Sequence, residues 1–245
     1  MSKATSLLFA VIAYAIFFAT FLYLIAFVGN LSFVPLTVDR GPDVSLAAAL
    51  LINIALIALF GVQHSVMARQ GFKRAWTRIV PQQAERSVYV LAASATLLLL
   101  FAFWRPIPGI VWSVDGAVAT ALWCLFALGW LIVLLSTFLI NHFELFGLQQ
   151  AWFHARGREA TPPQFRQPML YKLVRHPLYA GFFLAFWATP VMSYGHLLLA
   201  LGMSVYMLVA ISYEERDLVG LFGKDYEDYQ QSVGKLMPRF RRSAS

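Results

Sequence analysis

The chain has little with which to face water. Charged residues make up 13% of its 245 positions and hydrophobic residues 60%, a balance in which a soluble domain could not cover its surface with polar groups. Lipid has to cover much of it. Cysteine is nearly absent: Cys124 stands alone, which excludes an intrachain disulfide and a cysteine cluster for metal. Ionisable residues are almost missing from the apolar runs, so no ion path is visible. The histidines, His64, His142, His154, His176 and His196, show no i, i+4 ligand pair and have no thiolate company, so no metal or haem site is expected. No internal repeat, low-complexity tract or linker stands out, and residues 1–245 read as one integral membrane domain.

What is present is apolar length. Charge-free stretches at 7–28, 46–66, 88–104 and 116–140 are each near the ~20 residues that cross about 30 Å of hydrocarbon. A further run, 178–213, is too long for one helix and is interrupted by Pro190, Ser193, Tyr194 and Gly195, which predicts a helical hairpin with a short first arm. A broken element at membrane depth is tolerated where it lines a protein cavity. The expected fold class is therefore all-α, a polytopic membrane helical bundle of four spans and a C-terminal transmembrane hairpin, with a polar tail over 214–245. The first run is longer than a secretory signal's apolar region and no small-residue cleavage pattern follows it, so it reads as a retained span.

Basic residues orient the spans. Arg69, Lys73, Arg74, Arg78 and Arg86 lie between the second and third, and Arg156, Arg158, Arg166, Lys172 and Arg175 follow the fourth. These loops are expected in the cytoplasm, together with both termini. The net charge of +7 then reflects topology and a lipid-facing surface; no nucleic-acid partner is expected.

Most residues able to do chemistry fall on that same side. "GVQHSVMAR" ends the second span with His64. "NHFELFGL" closes the fourth with His142 and Glu144, and a carboxylate so near the membrane is costly unless paired or solvated. "LYKLVRHPLYAGFF" packs Lys172, Arg175 and His176 against the mouth of the hairpin, and Pro177, lacking an N–H, suits the first turn of a helix. "ISYEERDL" places Glu214 and Glu215 where the last span ends. Adjacent carboxylates on a helix point in different directions, so at most one of the two is expected to face a site, and the other can be solvated or pair with Arg216 or Lys224.

"RHPLYAGF" before the hairpin and "EERDLVGLFGKDYEDYQQSV…MP" after it resemble, in that order, the membrane superfamily of isoprenylcysteine carboxyl methyltransferases and phospholipid methyltransferases. The resemblance covers about 168–238. It implies S-adenosyl-L-methionine as cofactor, bound by Tyr171, Arg175, His176, Pro177, Tyr179, Gly181 and Glu214. Arg175 would hold the cofactor carboxylate as a planar fork, Tyr179 would contact the adenosyl group, and Gly181 would permit close backbone approach. Glu214 would accept from ribose hydroxyls or the ammonium group. Where isoprenylcysteine enzymes carry a substrate-binding arginine, this chain has Ala210, which disfavours a carboxylate acceptor. "GVQHSVMARQGFK", "PQQAERSVYVL", "WRPIPGIVW" and "INHFELFGLQQ" resemble a narrower branch, the bacterial methanethiol S-methyltransferases.

That branch implies an S-methyl transfer to a small thiol, methanethiol giving dimethyl sulfide, in the bacterial inner membrane with no obligate protein partner. An alkyl thiol has a pKa of about 8.5 or higher, so something must accept its proton. The candidates are Glu144, His64 and His142, with Glu144 and His64 placed first and Phe143, Phe146 and Trp187 lining the pocket. Three alternatives stay open: methyl transfer to a lipid amine or other lipophilic acceptor, an NADPH-dependent reduction, and a non-enzymatic membrane protein, either a transporter or an accessory of nitrogen-oxide metabolism.

Overall fold

The computed structural model of the protein describes residues 1–158 and 164–239; residues 240–245 of the expected tail lie outside the described residues. The elements run α1 (Lys3–Val28), α2 (Leu46–Ala68), α3 (Gln70–Trp76), α4 (Gln82–Phe103), β1 (Ile110–Ser113), α5 (Gly116–Ile140), α6 (His142–Leu145) and α7 (Leu148–Arg156). A 3-10 turn at Met169–Lys172 follows, then α8 (Pro177–Trp187), β2 (Val191–Ser193), α9 (Tyr194–Phe222) and α10 (Lys224–Ser232). Among the described residues, α1, α2, α4, α5 and α9 are long and apolar enough to cross a membrane, and α8 is apolar but shorter. The protein is an all-α membrane helical bundle.

The boundaries have local causes. Ser2 and Ser45 accept hydrogen bonds from Thr5 N and Ala48 N and so cap α1 and α2, satisfying amides left open at a helix start. Pro177 opens α8, where its missing N–H costs nothing. Charged residues do not stop α9, which runs on to Phe222 through Glu214 and Glu215; Glu, Arg, Leu and Asp can all be carried in a helix, and Gly223, at φ 55° and ψ −129°, a backbone shape open to glycine, ends it. The hairpin turn contains β2, which pairs antiparallel with β1 through Ile110–Ser193, Trp112–Met192 and Ser113–Val191.

The described residues group into two compact units. The first draws on 1–114, 142–158 and 190–203, and the second on 115–141, 164–189 and 204–239. In the first unit α4 packs on α1 and α2, and α7 on α1. Asn53, fully buried in α2, donates to the Arg105 carbonyl at 2.7 Å and accepts from the Arg105 amide at 2.9 Å. This closes backbone groups left open beyond α4, where lipid offers no partners. In the second unit α5 and α8 lie closely together. A Cβ on Gly181 would stand 2.7 Å from the Gly129 carbonyl, and one on Gly129 would stand 2.7 Å from the Ala185 amide, so both positions depend on having no side chain.

Candidate functional site

In the second unit a single carboxylate organises the basic knot. Glu215 is 8% exposed. Its Oε1 lies 2.9 Å from both Nε and Nη2 of Arg175 and 3.0 Å from Nε2 of His176, and its Oε2 lies 3.4 Å from Lys235 Nζ. A buried carboxylate is strongly disfavoured unless charged and polar partners surround it, and this one has them. Arg175 turns its other nitrogen, Nη1, to the carbonyls of Gln230 and Val233.

The tail is therefore stitched to the knot. Arg175 N donates to Gly234 O at 2.8 Å, His176 N donates to Lys235 O at 3.1 Å, and Val174 and Gly234 form a parallel bridge. The Tyr229 hydroxyl donates to the carbonyl of Tyr171. Around it Phe165, Phe222, Tyr226 and Tyr229 pack as an aromatic cluster. Burial pushes the phenols of Tyr171 and Tyr226 upward, reinforced at Tyr171 by the charge of Glu214 and at Tyr226 by the charges of Glu215 and Glu214. Burial also pushes Tyr229 up to about 12. All three phenols stay neutral in the ordinary working range.

The structure brings Tyr171, Arg175, His176, Tyr179 and Glu214 into one neighbourhood. The Tyr179 ring stands edge-on to His176 with centroids 5.8 Å apart, and Glu214 is exposed. Three placements differ from the sequence-based expectation. The Arg175 edge expected to grip a ligand carboxylate is turned to Glu215, because that carboxylate is the buried charge in greater need of a partner. Gly181 faces Gly129 and Val133 of α5, so the close approach it permits is helix on helix. The glutamate expected to pair with Arg216 or Lys224 pairs instead with Arg175, His176 and Lys235, while Arg216 lies over the Tyr213 ring at 5.4 Å. Trp187 donates from Nε1 to Ser204 Oγ at 3.0 Å.

The proton-acceptor candidates belong to the first unit. His142 is 5% exposed, and its Nε2 lies 2.8 Å from the Tyr14 hydroxyl. Phe146 stands edge-on to His142 at 4.9 Å and stacks on Phe17 at 4.0 Å. Burial lowers the affinity of His142 for a proton, so the ring is neutral at pH 7. Arg86 ties this group to α4, with its Nε donating to Leu145 O at 2.7 Å and its guanidinium over the Tyr89 ring at 4.9 Å. His64 stacks on Phe60 at 5.2 Å and lies 4.9 Å from the Tyr89 ring. Glu144 and Phe143 are exposed.

Sequence reasoning missed Glu215, Lys235 and Tyr14. Glu215 had a signal: it continues the buried row Met207 and Ile211 at four-residue spacing, which marks the inward face of α9. Tyr14 had a weaker one, as the polar member of the row Tyr14, Phe17, Phe21 along α1.

Comparison with known proteins follows the same lines. The NnrU protein family matches residues 52–241. Methanethiol S-methyltransferase 1 of Bradyrhizobium diazoefficiens is 54% identical over 242 residues, 98% of this chain and 84% of the relative. The methanethiol S-methyltransferase of Mycobacterium tuberculosis is 49% identical over 239 residues, 97% of this chain and 98% of the relative. That of Pseudomonas deceptionensis is 49% identical over 243 residues, 99% of this chain and 92% of the relative. No solved structure matches. The family match takes in α4, α5 and the Arg175–His176 knot, and the chain belongs to the NnrU protein family.

Proposed function

We propose that the protein is a thiol S-methyltransferase of the bacterial inner membrane that methylates methanethiol to dimethyl sulfide with S-adenosyl-L-methionine, its termini and its site on the cytoplasmic side. The observation that carries this reading is the near full-length identity, about half of all positions, to proteins bearing that activity in their names.

The donor set of the knot suits a zwitterionic sulfonium nucleoside. Such a ligand needs a cation for its carboxylate, an acceptor for its ammonium and ribose groups, and an aromatic surface. Lys235, with a side chain 45% exposed, supplies the cation beside Arg175. Glu214 supplies the exposed acceptor, and Tyr171 and Tyr179 supply the rings. His176, Pro177 and Gly181 fix the backbone that carries them, and Glu215 holds Arg175 and His176 in register from behind. When bound, S-adenosyl-L-methionine supplies an electrophilic methyl carbon on a positively charged sulfur.

The remaining task of the chain is to orient the thiol and take its proton, because little of an alkyl thiol is thiolate at pH 7. Of the three candidates, burial favours His142. Glu144 is exposed and can be solvated, whereas His142 is buried, neutral and hydrogen-bonded, which suits a general base. His64 packs between aromatic rings and shapes the apolar surroundings.

The test is headspace analysis of dimethyl sulfide from cells expressing the wild type, Glu214→Ala, His142→Gln and Glu144→Gln, paired with labelled methyl donor and purified protein. Dimethyl sulfide is expected from the wild type. Glu214→Ala should raise the KM for the methyl donor and His142→Gln should lower kcat, with Glu144→Gln close to the wild type. Label entering lipid amines and not methanethiol would reject the substrate.

A further inference from the structure

We infer that the segment from Arg69 to Ile79 lies in the bilayer surface at the end of α2 and gathers there phospholipids whose head groups carry a net negative charge. The inference rests on α2 as a membrane span and is independent of the methyl-transfer reading.

Three observations carry it. The first is charge. Arg69, Lys73, Arg74 and Arg78 fall within ten positions, and no Asp or Glu stands between Asp43 and Glu85. Arg74 and Arg78 are exposed and meet no carboxylate among the described residues. The rule that positive charge collects on one side of a membrane accounts for cations here. It does not account for the apolar row that accompanies them.

That row is the second observation. Phe72, Trp76 and Ile79 recur at i, i+4 and i+7, the spacing that lines one side of a helix. The amides of Ile79 and Val80 donate to Trp76 O at 3.0 and 2.9 Å, which carries the turn past the end of α3. The rings of Phe72 and Trp76 stack with centroids 5.7 Å apart. Ile79 is 79% exposed and α3 has no buried residue, so protein does not absorb this row. By helical spacing Arg74 and Arg78 fall on the opposite side. A segment apolar on one side and rich in Lys and Arg on the other lies in the plane of the interface.

The third is position. Arg69, extended at φ −70° and ψ 139°, separates α2 from α3, so the chain leaves the axis of the span there. Val62 and Val66, both exposed, bring the lipid-facing side of α2 to within three positions of Arg69. Cations held at that surface draw anionic head groups from within about a Debye length, ~8 Å in physiological salt. A zwitterionic head group, with its phosphate matched by an ammonium, offers them no net attraction. Trp76 adds an amphipathic ring of the kind that settles at head-group level.

The experiment uses the full-length protein carrying Cys124→Ser and Ile79→Cys, labelled at position 79 with an apolar fluorophore. It is reconstituted in phosphatidylcholine vesicles holding a small share of one spin-labelled lipid, either phosphatidylglycerol or phosphatidylcholine with the same labelled acyl chain. Both lipids should quench the fluorophore, and mole for mole phosphatidylglycerol should quench on the order of 5-fold more strongly. Arg74→Gln with Arg78→Gln should bring the two lipids close to parity, as should 1 M salt, where screening shortens the reach of the charges to about 3 Å. Melting curves check that the substituted protein folds.

Equal quenching by the two lipids before substitution overturns the selection of charge, and so does an excess that survives Arg74→Gln with Arg78→Gln. Quenching by aqueous iodide and by neither lipid overturns the contact with the bilayer. A fluorophore shielded from iodide and from both lipids overturns it too, and would put a protein surface over the segment in place of lipid.

Discussion

Glu215 gathers three basic partners, Arg175, His176 and Lys235, on its two carboxylate oxygens, while its neighbour Glu214 stands exposed. The two glutamates should therefore fail differently. Glu215→Ala leaves the guanidinium of Arg175, 9% exposed, without its counter-charge, and breaking a buried pair from one side costs about 3–5 kcal/mol. Melting in detergent should show a large drop for Glu215→Ala and little change for Glu214→Ala, while calorimetry with S-adenosyl-L-methionine should show weakened binding in Glu214→Ala although the fold is intact. Equal melting temperatures for the two variants would remove Glu215 from its organising place. The sequence discloses that only one of two adjacent helical glutamates can face inward, and which one depends on the phase of α9 set by Met207 and Ile211. Its partner Lys235 lies 20 positions further on, beyond the reach of any local spacing rule.

Among the elements, the α5–α8 contact depends on two glycines meeting face to face. With the Gly129 carbonyl 2.7 Å from where a Gly181 Cβ would sit, Gly181→Ala forces backbone against side chain and should destabilise by about 1–3 kcal/mol, read as a lowered melting temperature. Because α8 begins with Pro177 directly after His176, a shift of α8 should also weaken binding of the methyl donor. An alanine variant as stable as the wild type would mean that the two helices separate freely. The long helices were legible because charge-free runs of spanning length admit few other structures in lipid. The short α8 was legible from Pro177 and Pro190. The ribbon of β1 and β2 was not, since Trp112 and Met192 are 80 positions apart and neither segment has a strand pattern that requires its partner. Nor was the extension of α9 past Tyr213, because charge marks the edge of lipid and does not mark the end of a helix.

On the scale of the whole molecule, apolar side chains stand outward along the spanning helices, as at Leu8, Leu51, Val118 and Val205, each at least 58% exposed. That surface calls for hydrocarbon. The proposed orientation rests on the basic residues of 69–86 and 156–175, since positive charge collects in cytoplasmic loops. Reporter fusions should accordingly be active as cytoplasmic markers after Arg158 and as exported markers after Gly109; the reverse pattern would invert the site. The helical class and membrane habit were legible from composition. The grouping into two compact units was not, since α9 contributes to both without a break in its sequence.

The stitching of residues 229–235 onto 171–176 has a consequence in time. A ribosome makes Arg175 sixty positions before Lys235, so the guanidinium reaches the bilayer surface before its carbonyl partners at Gln230 and Val233 exist. During that interval the half-made enzyme carries an unsealed cation at the mouth of α8. The knot around Glu215 matures last, and a chain interrupted or clipped anywhere between α9 and residue 235 would keep its apolar helices but lack the segment that seals Arg175.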